Sequence, residues 1–453
     1  MLKSNIAIIL AAGMGTRMNS NTPKPLHKIC GKEMLRILID TLEKTKVEQI
    51  YVIVPNNSKE IVSSINNSNV KFIEQKIPNG TLGALMKAHD EIKNSKNTLV
   101  LYADVPLIQE STINKLFEQH LKSESEISMI TSYKEIPKGY GRIIRSSKNN
   151  IQNIIEEKSI IDTEIRNINE INIGVYYFKS EWLYKNIQKV NLYDKEYLLT
   201  DIINIANKQS KLITSIQLNN YNEGIGVNTM IDLANANQIL RQRLLENIML
   251  KGVNIVDPKT VYIDIDCIIN ENSLILPNTH ILGHSFIGNN SQIGPNTTIT
   301  NSNIAKNSII QNSIVNESII GNNCTIGPFS LIRNKSKLMD NVQIGNNCEI
   351  KNSEIGFGTK SSHFSYIGDA FVGSNVNIGA GTVTCNFDGT NKYKTFIGDK
   401  SFIGSSTMLI APITLGENAQ TGAGSVVTKD VPPNHLAIGV PAESKKIDCD
   451  RKK

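Results

Sequence analysis

The chain has 453 residues, 40% of them hydrophobic and 20% charged, with 48 basic and 42 acidic side chains and a net charge of +6. At roughly 150 residues per domain this makes about three compact units, with two or four open, and the balanced charge and ordinary apolar content exclude a largely disordered chain. One Trp, 13 Tyr and 11 Phe, with basic residues dispersed except for the run 451–453, are too sparse for a platform that stacks single-stranded nucleic acid.

Six cysteines (Cys30, Cys267, Cys324, Cys348, Cys385, Cys449) lie far apart with no C-x-x-C pair. That spacing fits neither a zinc site nor a dense disulfide framework and points to a reduced, cytoplasmic setting. Lys3 and the apolar run 6–12 superficially resemble a signal peptide. The run is too short to span a bilayer, however, and it opens into a glycine-rich basic turn, so it reads as a buried first strand. No other stretch approaches a membrane-spanning length, and a soluble protein is expected.

In chain order, 6–10, 49–54, 70–73 and 98–102 read as strands, with 34–44, 58–65, 82–93 and 110–121 as the helices between them. This is the pattern of βαβ units feeding a mainly parallel sheet. From 228 to 250, Ile231, Leu233, Ala234, Leu240, Leu244, Leu245 and Ile248 recur at helical spacing, with Gly252 as the stop. We expect a domain over 1–228, a helical linker over 229–249 and a second domain over 250–453.

After Val253 the period becomes six. Ile320-Gly321, Ile326-Gly327, Ile344-Gly345, Ile378-Gly379, Ile397-Gly398, Ile403-Gly404, Leu415-Gly416 and Thr421-Gly422 sit on that lattice. Neither a helix nor a flat strand keeps one face at six residues. A parallel β-helix does, with each hexapeptide forming one short side of a coil and its aliphatic residue pointing inward. Ser291, Cys324, Cys348 and Ala419 take the small position of the repeat. The pairs Asn289-Asn290, Asn322-Asn323 and Asn346-Asn347 fall at corners, where Asn is the non-glycine residue best suited to left-handed backbone angles.

The first strand runs into Leu10-Ala11-Ala12-Gly13-Met14-Gly15-Thr16-Arg17-Met18 and then Thr22-Pro23-Lys24-Pro25-Leu26. Glycines let backbone N–H groups approach an anion, and Arg17 with Lys24 adds two cations, the makings of a grip on a nucleoside triphosphate. The alternative is a strand-to-helix turn with solvated charges. Asp104, after the apolar run 99–102, is either a metal ligand at the carboxyl end of a strand or a turn residue before Pro106.

With Gly31-Lys32, these residues resemble the signature of sugar-phosphate nucleotidylyltransferases. Gly139-Tyr140-Gly141-Arg142-Ile143, Glu170-Ile171-Asn172, Gly226-Val227-Asn228, Tyr366-Ile367-Gly368-Asp369-Ala370 and Asn377-Ile378-Gly379-Ala380-Gly381-Thr382 narrow this. Over nearly its whole length the chain resembles the bacterial family of bifunctional N-acetylglucosamine-1-phosphate uridyltransferases and glucosamine-1-phosphate N-acetyltransferases. The resemblance implies a Rossmann-like nucleotidyltransferase domain, a linker helix and a left-handed parallel β-helix of hexapeptide repeats. It also implies a homotrimer that makes UDP-N-acetylglucosamine for peptidoglycan and lipopolysaccharide.

By that resemblance, Leu10, Ala11, Ala12, Gly13, Gln75, Gly80, Thr81, Tyr102 and Ala103 would hold the nucleotide. Arg17 and Lys24 would neutralise phosphates, Gly141, Glu156 and Asn172 would hold the sugar, and Asp104 and Asn228 would bind Mg²⁺. His363 would be the general base that takes a proton from the amine of glucosamine 1-phosphate, chemistry suited to an imidazole near neutral pH. Arg333, Lys351 and Lys392 would face the phosphate, and Tyr366 and Asn377 the sugar. Asn386 matches both the sugar and the acetyl-CoA side. Glu349 is a candidate to orient the histidine, and Ala380, Phe387, Ser405, Ala423 and Val440 would line the acetyl-CoA groove. Departures from the family pattern are Ala103 for Gly, Ile173 for Thr, Phe387 for Tyr, the segment Q-K-I-P-N-G-T-L-G-A at 75–84, and the lack of an arginine in Ile438-Gly439-Val440-Pro441. Two other readings stay open here: a nucleotidylyltransferase with a regulatory β-helix, and a non-catalytic nucleotide-sensing scaffold.

Overall fold

The structure, a computed structural model, describes residues 3–13, 15–65, 67–192 and 196–446; Met14, Cys449 and the basic run 451–453 lie outside the described residues. The chain divides into two compact units, Met1–Leu240 and Arg241–Lys453. The division falls inside a single helix, Met230–Leu250.

The first unit is built on a sheet whose main path runs Ile213–Gln217, Ile127–Tyr133, Glu170–Lys179, Ser95–Tyr102, Lys3–Leu10, Gln49–Pro55, Val70–Gln75. Lys3–Leu10 pairs in parallel with Gln49–Pro55 on one side and Ser95–Tyr102 on the other. Residues 6–9 are fully buried because both faces of this strand are covered, which is why it reads as an unbroken apolar run. Helix Met34–Glu43 buries Met34, Leu35, Ile37, Leu38, Ile39 and Leu42 on the side facing the sheet. The segment expected as one helix over 82–93 is instead Thr81–Leu85, a 3₁₀ turn Met86–Ala88, and His89–Lys93. The bend at Ala88 lets Leu82, Ala84, Leu85, Ala88 and Ile92 all reach one core.

The chain leaves the strand Lys3–Leu10 toward one edge of the sheet and returns on the other side at Ser95–Tyr102. That makes a switch point, and in open α/β sheets ligands bind in the crevice at the carboxyl ends of such strands. Those ends are Leu10 and Tyr102.

The helix Met230–Leu250 begins with a reciprocal cap. Asp232 N–H donates to Thr229 Oγ1 at 3.2 Å while Asp232 Oδ2 accepts from the Thr229 and Asn228 N–H groups at 2.8 and 3.0 Å. The helix stops at Gly252, whose φ of 90° suits the left-handed exit and whose N–H reaches the Met249 carbonyl at 3.0 Å.

In the second unit the described residues form three sheets of 12, 10 and 9 strands, the three faces of a coil, parallel throughout except for the closing antiparallel hairpin of His435–Gly439 and Ala442–Lys446. We call them the first face (beginning with Asn254–Ile255), the second face (Tyr262–Ile263) and the third face (Ile268–Ile269). Inward aliphatics stack on their equivalents one coil later, as in Ile281 on Ile299, Ile293 on Ile310 and Ile310 on Ile326, with buried Ser361 interrupting the first-face column between Ile344 and Ile378. Ile281, Ile293, Ile299, Ile310 and Ile326 are fully buried. Ser291, Cys324, Cys348 and Ala419 are buried at the small positions. The second residue of each Asn pair, Asn290, Asn323 and Asn347, has φ of 58°, 56° and 54°. The asparagines there take the left-handed corner positions. Among the described residues no disulfide joins the cysteines, and no helix is long and apolar enough to cross a membrane.

Candidate active sites

The crevice of the first unit is a pocket of about 480 Å³ lined by Leu10, Ala11, Ala12, Gly13, Arg17, Lys24, Gln75, Gly80, Thr81, Tyr102, Ala103 and Asp104. It therefore gathers residues expected from separate motifs. Local geometry explains the glycines. Gly80 has φ of 94°, and a Cβ there would lie 2.5 Å from the Tyr197 carbonyl oxygen. Gly15 has φ of 60°, and its Cβ would meet Lys24 Cβ at 2.8 Å, so this glycine lets Lys24 pass under the turn.

Lys24 Nζ donates to Asp104 Oδ2 at 2.5 Å and to Asn228 Oδ1 at 2.9 Å, and Arg17 Nη2 reaches the same Asn228 oxygen at 2.8 Å. Asp104 and Asn228, 124 residues apart in sequence, thus present hard oxygen donors to a single cationic atom. That donor set suits a small divalent cation whose remaining ligands are phosphate oxygens and water. Among the described residues no cluster of three His, Cys, Asp or Glu could hold a metal.

Gly141, Glu156 and Asn172 lie beside this pocket. Asn172 N–H donates to the Gly141 carbonyl at 2.9 Å, and its side chain bonds Tyr176 Oη at 2.7 Å and the Gly174 N–H at 3.0 Å. A Cβ on Gly141 would crowd Ile154 at 3.2 Å and sit 3.6 Å from Glu156 Oε2, so glycine keeps the approach to that carboxyl open. Burial raises the Glu156 carboxyl above its ordinary range, partly offset by the Thr200 hydroxyl, which donates to it at 3.1 Å. Burial likewise raises the Tyr102 phenol, with the Glu156 charge adding to it. Pro78, Glu196 and Leu198 also line the pocket and were not expected. Pro78 belongs to the stretch 75–84, whereas Glu196 and Leu198 come from a separate segment placed against it by Tyr197, whose N–H and carbonyl pair with Asn79 and Leu82.

The second unit sorts its expected residues onto two edges. Between the first and second faces, successive coils place His363, Ala380, Ser405 and Ala423 in file. Gly381 N–H donates to the Phe364 carbonyl at 2.6 Å, Ser406 N–H to Ala380 at 2.6 Å, and Gly424 N–H to Ser405 at 2.8 Å. The imidazole of His363 is exposed, while its carbonyl accepts from buried Cys348 Sγ at 3.2 Å.

Between the second and third faces lie the ends of Leu331–Arg333 and Cys348–Lys351, followed by Asp369 and the loop from Asn386 to Lys392. Asp369 is the hub. It accepts from Lys351 Nζ at 3.1 Å, from Asn352 Nδ2 at 2.5 Å, and from Asn386 Nδ2. Burial alone would raise the Asp369 carboxyl, but the bonds from Asn352 and Lys351 outweigh it and hold the group below its usual range. Lys351 is raised because Asp369 overcomes the effect of burial. Lys392 is lowered by the bond and charge of Lys351. Asp369 stood inside a quoted motif without a role, because nothing local marks a carboxylate that takes its partners from two neighbouring coils.

Within the single chain Glu349 has a partner other than its own His363. It lies in register with Leu331 and Tyr366 and binds Arg333 Nε at 2.8 Å and Nη2 at 2.7 Å. The histidine sits on the corner one coil later, off the face that Glu349 occupies. Asn377 is on the first face, opposite Lys360 and Phe402, and so is apart from Arg333, Lys351 and Tyr366. Phe387 is exposed and bridges Lys392, and Val440 is exposed at the turn of the closing hairpin.

Three stretches match known families: residues 7–159 the MobA-like NTP transferase domain, 259–355 the GMPPB C-terminal domain, and 394–429 the hexapeptide repeat of succinyl-transferase. The chain is similar to the bifunctional protein GlmU of Thermosipho africanus, at 43% identity over 95% of this chain and 94% of that one. The GlmU proteins of Clostridium beijerinckii (41% identity, 95% of each chain) and Streptococcus agalactiae serotype V (39%, 96% and 95%) are similarly related.

Proposed function

This chain belongs to the family of the bifunctional GlmU proteins, and on that premise we propose how its residues divide two reactions. It is a transferase of UDP-N-acetylglucosamine synthesis. It acetylates glucosamine 1-phosphate from acetyl-CoA, then joins UMP from UTP to the N-acetylglucosamine 1-phosphate, releasing pyrophosphate.

Uridylyl transfer belongs to the first unit. The observation that carries this reading is the convergence of Arg17, Lys24, Asp104 and Asn228 at the ends of the central strands. A phosphate oxygen of the sugar attacks the α-phosphorus of UTP, a P–O bond forms, and the bond to the β-phosphate oxygen breaks. Little is asked of the protein beyond alignment and charge. Arg17 and Lys24 neutralise the triphosphate, the turn from Leu10 to Gly13 with Gln75, Gly80 and Thr81 fixes the uridine, and Gly141, Glu156 and Asn172 fix the acetylated sugar. Asp104 and Asn228 would hold Mg²⁺, which supplies charge stabilisation on the phosphate oxygens when bound.

Acetyl transfer belongs to the second unit. His363 accepts a proton from the amine as its nitrogen attacks the thioester carbonyl; a C–N bond forms, the C–S bond breaks, and CoA leaves as the thiol. Arg333, Lys351 and Lys392 face the sugar phosphate, with Lys351 held by Asp369, and Tyr366 contacts the sugar. Ala380, Ser405 and Ala423 leave room for the pantetheine arm along the edge that carries His363.

Within one chain the two halves of this site flank the second face. From His363 to Asp369 is six residues of extended chain, up to about 20 Å, further than one sugar phosphate spans. A homotrimer would bring the His363 edge of one prism against the Lys351 edge of its neighbour. We place the protein in the cytoplasm, where its co-substrates and thiols belong. The test is incubation with glucosamine 1-phosphate, acetyl-CoA, UTP and Mg²⁺ with mass detection of both products. Formation of neither, or of only one, overturns the two-reaction reading.

A further inference from the structure

Three consecutive backbone N–H groups fasten the loop that carries Asn228, each to a different part of the first unit. Asn228 N–H binds the helix cap Asp232 at 3.0 Å, Val227 N–H binds the Asp104 carbonyl at 2.8 Å, and Gly226 N–H binds the Tyr140 hydroxyl at 3.3 Å. The first two hold the loop to its own helix and to the other oxygen ligand. The third reaches into the turn Gly139-Tyr140-Gly141, beside Glu156 and Asn172.

Tyr140 is well placed to transmit a displacement. Lys134 Nζ lies 4.5 Å from its ring centroid, a contact that steadies the ring. The Tyr140 carbonyl accepts from Nη1 of buried Arg142, which also binds Glu157 at 2.7 Å, next to Glu156. Asn172 N–H closes the same turn through the Gly141 carbonyl at 2.9 Å. A sugar pressing on Gly141 and Glu156 therefore acts on a turn braced on its inner side, whose one outward arm is the tyrosine.

We propose that Tyr140 is a positioning residue that couples the acceptor-sugar turn to the Asn228 loop, so that the sugar 1-phosphate and the metal–nucleotide strengthen each other's binding. This rests on the uridylyl reading of the first unit. It adds a residue that touches neither ligand and acts through Gly226.

The test is calorimetric titration of N-acetylglucosamine 1-phosphate into the full chain, without and with Mg²⁺ and a UTP analogue bridged by a methylene group between its α- and β-phosphorus atoms. The wild type should bind the sugar phosphate about tenfold more tightly in the presence of the nucleotide. Tyr140→Phe keeps the ring and its packing but removes the acceptor. It should cut that enhancement about fivefold, the scale of one hydrogen bond, while leaving the affinity for each ligand alone within about twofold. A variant that keeps the full enhancement overturns the proposal. So does one that weakens each ligand separately with the enhancement unchanged, the mark of a merely structural role. A wild type that makes UDP-N-acetylglucosamine without any enhancement also overturns it and leaves the uridylyl reading standing. A wild type that makes none refutes that reading and the proposal with it.

Discussion

In the first unit, residues as distant in sequence as Leu10 and Asn228 close on one pocket of a single chain, because crossover connections bring the carboxyl ends of the parallel strands Lys3–Leu10 and Ser95–Tyr102 to the same edge of the sheet. In the second, residues one coil apart stay one coil apart, strung along two edges of a prism. A wound sheet concentrates chemistry, whereas a repeat distributes it. The repeat supplies rigid, evenly spaced positions, and in the proposed trimer a second prism would supply the other wall of the acetyl site.

The largest effects should come from separating the two. Asp104→Ala is expected to lower uridylyl transfer about 10³-fold or more, and Arg17→Ala about 10²-fold, with acetylation within twofold in both. His363→Ala should do the reverse, losing about 10²–10⁴-fold of acetyl transfer. Assays of each half-reaction check this, and a folded variant silent in both would break the comparison.

Mixing tests the shared wall. Chains carrying His363→Ala, combined by refolding with chains carrying Lys351→Ala, should regain about a quarter of wild-type acetyl transfer if each site draws the two residues from neighbouring copies assorting at random. No recovery would mean that one chain holds a complete acetyl site. The same mixture of Asp104→Ala and Arg17→Ala chains should regain nothing in uridylyl transfer.

A smaller effect is expected at Asp369. Asp369→Asn removes the charge that gathers Lys351 but keeps the shape and most hydrogen bonds. We expect KM for glucosamine 1-phosphate to rise about tenfold, the loss of one charge-assisted contact, with kcat less affected. An unchanged KM in steady-state assays would remove Asp369 from the site.

The smallest effect concerns stability in the first unit. Burial lowers the His120 imidazole from 6.5 to about 4, and among the described residues its buried Nε2 has no partner while Nδ1 meets Ser128 Oγ at 2.9 Å. Above pH 6.5 both folded and unfolded states hold it neutral. Between 6.5 and 4 only the unfolded chain takes up the proton, so stability falls as pH falls across that window, by on the order of 3 kcal/mol in all. Trp182, the only tryptophan, lies in this unit, so its fluorescence during denaturant unfolding reports that unit. His120→Gln should flatten the slope between pH 6.5 and 4; an unchanged slope would assign it to other groups.

Much of this protein was legible without coordinates because the relevant constraints are local. The apolar run before Gly13 read as a buried first strand because it is too short to span a bilayer and opens into a glycine-rich basic turn. The six-residue lattice of aliphatic and glycine residues fits one architecture, and Asn290, Asn323 and Asn347 mark corners because few other side chains tolerate that backbone. Arg17 and Lys24 were readable as two cations around a glycine turn, and Asp104 as a candidate metal ligand at the carboxyl end of an apolar strand. The bend at Ala88 was not readable, since the sequence there stays helical in period and only the shape of the core decides where it turns.

Tertiary structure alone decided which distant groups meet. Register between coils varies from 16 to 18 residues, as in Ile310 on Ile326 against Ile281 on Ile299, and the loop from Asn386 to Lys392 shifts it further. Whether a carboxylate faces a histidine, a lysine or an arginine in the next coil is therefore not fixed by local spacing. For that reason Glu349 pairs with Arg333, and Asp369 emerges as the residue that gathers Lys351, Asn352 and Asn386. In the first unit the same holds for Tyr140 and Gly226, 86 residues apart. Steric rules set each segment's own conformation, but a hydrogen bond between segments exists only once the packing of everything between them has brought donor and acceptor within reach.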